Sequence, residues 1–231
     1  MKLFAGWVLV FCMLLMSRMA LGADVTDSNT VSTSPEPFNI EAEVHYQVLP
    51  IPVDTLDDNK IEVVEVFSYA CIHCFHFDPA IEAWRQKQAE DVAFRRLPAI
   101  FNQSWALFAQ AYYTAETLGV LDQVHAPIFN AIHLQGDDLR NPNAMAKLFK
   151  DVAGVDEKEF TRVFNSFGVR SRVQQADAQG RMYRVTGVPS MIVAGKYRVD
   201  GKMAGNNTRM LQVVDYLVAK ERAEKHEAPA E

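Results

Sequence analysis

Two cysteines three residues apart, Cys71 and Cys74, stand where a β-branched run gives way to a helical period. The run Ile61–Tyr69, IEVVEVFSY, reads as a largely buried strand. From His73 onward, Phe77, Ile81 and Trp84 recur at four- and three-residue steps, one face of a helix, with Pro79 removing one backbone donor inside it. A helix N-terminus carries unpaired N–H groups and a partial positive charge. A thiolate at Cys71 would accept those bonds, and His73 adds a donor and, when protonated, a cation, so the pKa of Cys71 is expected to fall. Cys74 lies one turn further and more inward, and is expected to stay protonated. Stabilising the reduced form by one pKa unit is worth about 1.4 kcal/mol, or about 30 mV for a two-electron couple, toward passing the disulfide on.

The third cysteine, Cys12, falls in an N-terminal segment with the features of an export signal. Lys2 precedes the apolar stretch Leu3–Met16, and small residues follow at Ala20, Gly22 and Ala23. Residues 1–22 are therefore read as a secretory signal peptide, cleaved after Gly22 or Ala23. The alternative is an uncleaved anchor, for which the stretch is short. Cleavage removes Cys12 and leaves a single cysteine pair in an oxidising compartment. The net charge of -6 and the lack of a basic run argue against nucleic acid as a partner.

Residues 23–37 are polar and rich in Ser, Thr and Pro, and read as a disordered linker. A first strand is expected at His45–Leu49 and another at Val92–Leu97, which completes a βαβ unit around the cysteine helix. Residues 104–183 read as all-helical. Ser104 is the expected cap of a helix to Thr117, a second helix spans Asp122–His133, and Asn141-Pro142 opens a third that Gly154 stops. Asp156 with Glu159 forms a capping box, and a longer helix spans Val169–Tyr183. Strand signals return at Ser190–Ala194 and Tyr197–Val199, a hairpin, followed by an amphipathic helix Thr208–Ala219 and a charged tail, 222–231, expected to fray.

The chain resembles the DsbA family of periplasmic thiol:disulfide oxidoreductases. The resemblance rests on Phe67-Ser68-Tyr69-Ala70-Cys71-Ile72-His73-Cys74 and on Gly187-Val188-Pro189-Ser190-Met191-Ile192-Val193, and extends over about residues 40–220. It implies an α/β, thioredoxin-like fold over 38–103 and 184–221, with an all-helical insertion at 104–183. It implies Cys71 as the exposed nucleophile, Cys74 as the resolving thiol, and a cis Val188-Pro189 bond beside them. Val188, Pro189 and Ile72 would border a largely apolar site for an extended client peptide. Glu65 matches a family acid that moves a proton to or from Cys74, and Arg96 its basic partner; the alternative for Glu65 is a solvent-facing strand carboxylate beside Glu62. Ile72 stands where the best-known members have proline, which bears on the potential rather than the chemistry.

The resemblance further implies a monomeric dithiol oxidase in the periplasm that donates its disulfide to unfolded exported clients through a mixed disulfide. No bound cofactor is expected, and a quinone-linked membrane protein of the DsbB type would reoxidise it. A reductase or isomerase on the same fold, or a non-enzymatic peptide-binding chaperone, are the alternatives. His76 beside the cysteines lacks a second pair of ligands, so no metal is expected. His45, His125, His133 and His226 are read as surface or packing residues, and Phe101, Trp105, Phe108 and Tyr112 as core of the helical segment.

Overall fold

The computed structural model describes residues 39–227; the expected signal segment and linker lie outside them. Its elements are β1 (Gln47–Val48), β2 (Ile61–Phe67), α1 (Ile72–Arg85), β3 (Val92–Pro98), α2 (Gln103–Thr117), α3 (Leu121–Asn130), a π-helical turn (Ala131–Gln135), α4 (Pro142–Ala153), α5 (Glu157–Phe164), α6 (Phe167–Met182), β4 (Ser190–Val193), β5 (Tyr197–Asp200), α7 (Gly201–Ala204) and α8 (Asn207–Glu227).

The five strands form one mixed sheet in the order β1-β5-β4-β2-β3. β2 and β3 run parallel across the α1 crossover, while β2–β4, β4–β5 and β1–β5 are antiparallel. All seven positions of β2 are buried, as a strand covered on both faces requires. Two of those positions are glutamates, so the apolar run hides two charges that must be matched inside. The segment before β2 is held on the β4–β5 hairpin by Leu49 N–H to the Lys196 carbonyl and Val53 N–H to the Gly195 carbonyl. Gly195 sits at φ +62, and a Cβ there would meet the Val53 carbonyl oxygen at 1.9 Å, so only glycine fits.

Helices α2 to α6 lie between β3 and β4 in the chain. Their buried apolar residues include Phe108, Tyr112, Ile128, Phe129, Phe149 and Phe160, one cluster continuous with Phe67, Tyr69 and Cys74 beside the sheet. Asn141 and Asp156 cap α4 and α5 through their side chains, and Gly154 closes α4 in the left-handed region. Other expectations shift. α2 is capped by Asn102, whose Oδ1 accepts from the Trp105 N–H, and not by Ser104. Phe101 is exposed and packs with its ring tilted, 4.9 Å away, on a half-buried Trp105, so of the four aromatics only Phe108 and Tyr112 are core. The second helix ends at Asn130 and widens into the π turn that carries His133.

The largest correction concerns the tail. Residues 222–227 continue α8 instead of fraying, and 228–231 lie outside the described residues. The reason lies far away in sequence: the Arg222 guanidinium grips both oxygens of Asp91, just before β3, at 2.5 and 2.9 Å. Lys225 donates to the Lys60 carbonyl at 3.0 Å, and Glu221, buried, accepts from Lys196.

Candidate active site

Cys71 is the N-cap of α1, with an extended backbone at φ -94 and ψ 113, so the helix starts directly at the sulfur. The turn before it is closed by Cys71 N–H to the Ser68 carbonyl and by Ala70 N–H to Ser68 Oγ. Cys71 is partly exposed and Cys74 wholly buried, because the fourth residue of the turn rotates onto the face packed against the sheet. Position alone thus makes the two thiols unlike.

The electrostatics follow. The Cys71 thiol is lowered to about 6, first by a hydrogen bond from the Cys74 thiol, against the opposing effect of burial. The backbone N–H groups of Cys74 and His73 and the His73 charge add to the lowering. The helix terminus and His73 therefore contribute as expected, but the partner thiol contributes most. Cys74 is pushed far up, by burial first, then by Cys71 and the charge of Glu65. A single thiolate shared across the pair rests on the outer sulfur.

Val188 and Pro189 complete the outer side. Their peptide bond is cis, and the Cys71 thiol donates to the Val188 carbonyl at 3.5 Å. Beside it lies a groove lined by Gly187, Val188 and Pro189 together with Thr186, Lys202 and His73. Ile72 is exposed, 41% of its surface being open to solvent, and His73 is exposed as well.

Behind the pair is a buried ionic cluster. Glu65 on β2 stands opposite Arg96 on β3 in register, and Arg96 Nε donates to Glu65 Oε2 at 2.8 Å. Arg96 Nη2 also donates to Asp78 at 3.1 Å and to Glu82 at 2.6 Å, both on α1. One guanidinium thus serves three carboxylates. Burial, with the nearby charges of Asp78 and Glu82, outweighs the pull of Arg96 and raises Glu65 to about 7. For Asp78, burial is overcome by the hydrogen bond from His125 and by the charge of Arg96, and the net direction is down. Glu62 does not face solvent either: it is buried against Arg95.

Asp78, Glu82, Tyr69 and His125 were not singled out as site residues from sequence. One signal was available. Asp78 falls four residues after Cys74, on the same inward face of α1 as Ile81 and Trp84, where a lone carboxylate requires a partner. His133, read as packing, is a contact of the site: its Nε2 bonds the Tyr69 carbonyl at 2.8 Å and its ring stacks on Phe75.

A mixed sheet with a cysteine pair at the start of the crossover helix and a cis-proline loop against it defines a thioredoxin-like thiol:disulfide oxidoreductase. The DSBA-like thioredoxin domain family matches residues 85–218. The chain is 40% identical to the thiol:disulfide interchange protein DsbA of Azotobacter vinelandii over 91% of this chain and 98% of the relative. It is 38% identical to the Pseudomonas aeruginosa protein of the same name over 90% and 98%. The crystal structure of P. aeruginosa DsbA superposes with a TM-score of 0.78 at 40% identity, covering 81% of this chain and 97% of that one. DsbA from Xylella fastidiosa gives 0.73 at 38% identity, over 78% and 96%. The chain belongs to the DsbA family. It is a dithiol oxidase that works through a mixed disulfide, an exported protein acting on unfolded client chains.

Proposed function

We propose that Cys71 is the sulfur that clients meet, Cys74 the internal thiol, and Glu65 the proton carrier between them. A client thiolate attacks Cys71 Sγ. The Cys71–Cys74 bond breaks and its electron pair leaves on Cys74. That anion is strongly disfavoured in its buried site, so it takes a proton, which Glu65, half protonated near neutral pH, supplies. A second client thiolate then attacks the client sulfur of the mixed disulfide, and Cys71 departs as a stabilised thiolate, a good leaving group. The client loses two electrons and the enzyme gains them.

The Val188 backbone pairs with the extended client, with Pro189 and Ile72 bordering the attacked sulfur and His73 tuning it. The protein acts in the periplasm as a monomer after removal of residues 1–22, without a bound cofactor or metal, its insertion spanning 104–183. A quinone-linked membrane protein of the DsbB type reoxidises the pair.

The observation that carries this reading is the unlike pair: a half-exposed, acidic Cys71 beside a buried Cys74. The test is trapping. Cys74→Ser protein mixed with a disulfide-bearing unfolded peptide should accumulate a mixed disulfide through Cys71, and Cys71→Ser should not. Equal trapping by both variants would refute the division of roles.

A further inference from the structure

The helical segment reaches into the ionic cluster through His125 on α3, which is buried and sits between two polar groups. The Tyr69 hydroxyl lies 2.8 Å from its Nδ1, and Asp78 Oδ1 lies 3.1 Å from its Nε2. Burial holds the Tyr69 phenol protonated, so Tyr69 is the donor and Nδ1 the acceptor. The imidazole proton is then on Nε2 and is given to Asp78. Burial keeps the ring neutral against the pull of Asp78, so the chain Tyr69–His125–Asp78 carries direction without adding a charge.

This chain continues through Arg96 to Glu65. Three carboxylates face one guanidinium, and like charges so close cannot all stay ionised. Glu82 is the most exposed of the three and has Arg85 as a second cation at 2.5 Å. Asp78 has the His125 N–H. Among the described residues, Glu65 has Arg96 alone as a side-chain donor. The proton left over has one favourable place.

We propose that His125, oriented by Tyr69, is a positioning residue that decides which carboxyl of the cluster holds the proton, anchoring Asp78 as the anion and leaving Glu65 as the acid behind Cys74. This rests on the reading of Glu65 as the proton carrier. His125 touches no reacting sulfur; it acts through Asp78 and Arg96. Groups facing it are Asp78 and Glu82 from α1, Tyr69 from the turn after β2 and Arg96 from β3, while Phe67 and Phe129 pack on its ring. Without its N–H, Asp78 gains proton affinity, the proton shifts toward Asp78, and Arg96 favours an ionised Glu65.

The test follows the Glu65 carboxyl by carbon-13 NMR in the reduced, full-length protein, assigned by its loss in Glu65→Gln. His125→Leu should lower the Glu65 midpoint by about one pH unit, roughly a tenfold loss of proton affinity. His125→Gln, whose amide can accept from Tyr69 and donate to Asp78, should restore most of it. Tyr69→Phe, which removes only the hydroxyl, should move it the same way by less, and serves if His125→Leu does not fold. An unmoved midpoint in the Leu and Phe variants overturns the proposal, as does a His125→Gln midpoint no different from that of His125→Leu, which would mark a packing role. The Glu65 reading fails separately, if Glu65→Gln leaves the pH dependence of disulfide exchange unchanged.

Discussion

The β2–β3 pair carries two glutamate–arginine bays on opposite faces, and they are built differently. Glu62 and Glu65 are three residues apart, so they point to opposite sides, as do the neighbours Arg95 and Arg96. In the first bay Arg95 meets Glu62 with two bonds, at 2.9 and 3.1 Å, and Glu62 also accepts the Leu56 N–H. The remaining donors of Arg95 reach only neutral oxygens, on Tyr183 and Gln179. That is one cation for one anion. In the second bay Arg96 is spread over Glu65, Asp78 and Glu82. Identical residue types on one strand pair thus give a closed structural pair on one face and an undercompensated cluster behind the cysteines on the other. Burial raises a carboxyl's proton affinity, and a shortage of cations leaves that rise uncancelled at Glu65.

Removing each arginine tests this contrast most severely. Arg96→Leu leaves three carboxylates without their shared cation and should cost about 3–5 kcal/mol in denaturant unfolding at neutral pH. Much of that loss should return on acidification, because protonated carboxyls need no partner. Arg95→Leu strands one carboxylate in a wetter bay and should cost less, about 2–3 kcal/mol. Equal losses would erase the distinction between the bays.

Glu65→Gln sharpens it through pH. The folded Glu65 sits near 7, above its unfolded value of about 4.3, so the folded state binds the extra proton. Its contribution is fully present below pH 4 or so and is lost as pH rises through 7. The reduced Glu65→Gln protein should therefore lose less stability than the parent between about pH 4 and 7, with roughly 2–3 kcal/mol between the slopes at most. A parallel pair of stability curves would show that Glu65 is ionised throughout. Glu82→Gln is the mildest change. It frees part of Arg96 for Glu65, and should lower the Glu65 midpoint by less than about one pH unit while changing stability by under about 1 kcal/mol, since Glu82 is half-exposed.

How far the sequence foretold these features depends on the range of the interaction. The cysteine pair at a strand-to-helix junction, the buried β2 run and the Asn141 and Asp156 caps were legible because each is set by neighbours within a few residues. The sharing of Arg96 was not, because it needs the β2–β3 register together with the inward face of α1. The continuation of α8 was hidden for the same reason: charge in 222–227 reads as solvent-facing until Asp91 is placed beside Arg222. His125 looked like packing, and it packs; its partners come from residues 56 and 47 positions away.

On the proposed reading, this site stabilises the reduced pair, with Cys71 as thiolate, more than it stabilises the disulfide. The folded Cys71 sits near 6, below its unfolded value of about 8.5, so this margin is fully present above about pH 8.5 and is lost as pH falls through 6. Equilibrating the purified protein in graded glutathione buffers at neutral pH, and reading Cys71–Cys74 oxidation by mass, measures it directly. The expected result is a pair mostly reduced in buffers that oxidise ordinary protein dithiols. A pair that stays oxidised until the buffer is strongly reducing would contradict it.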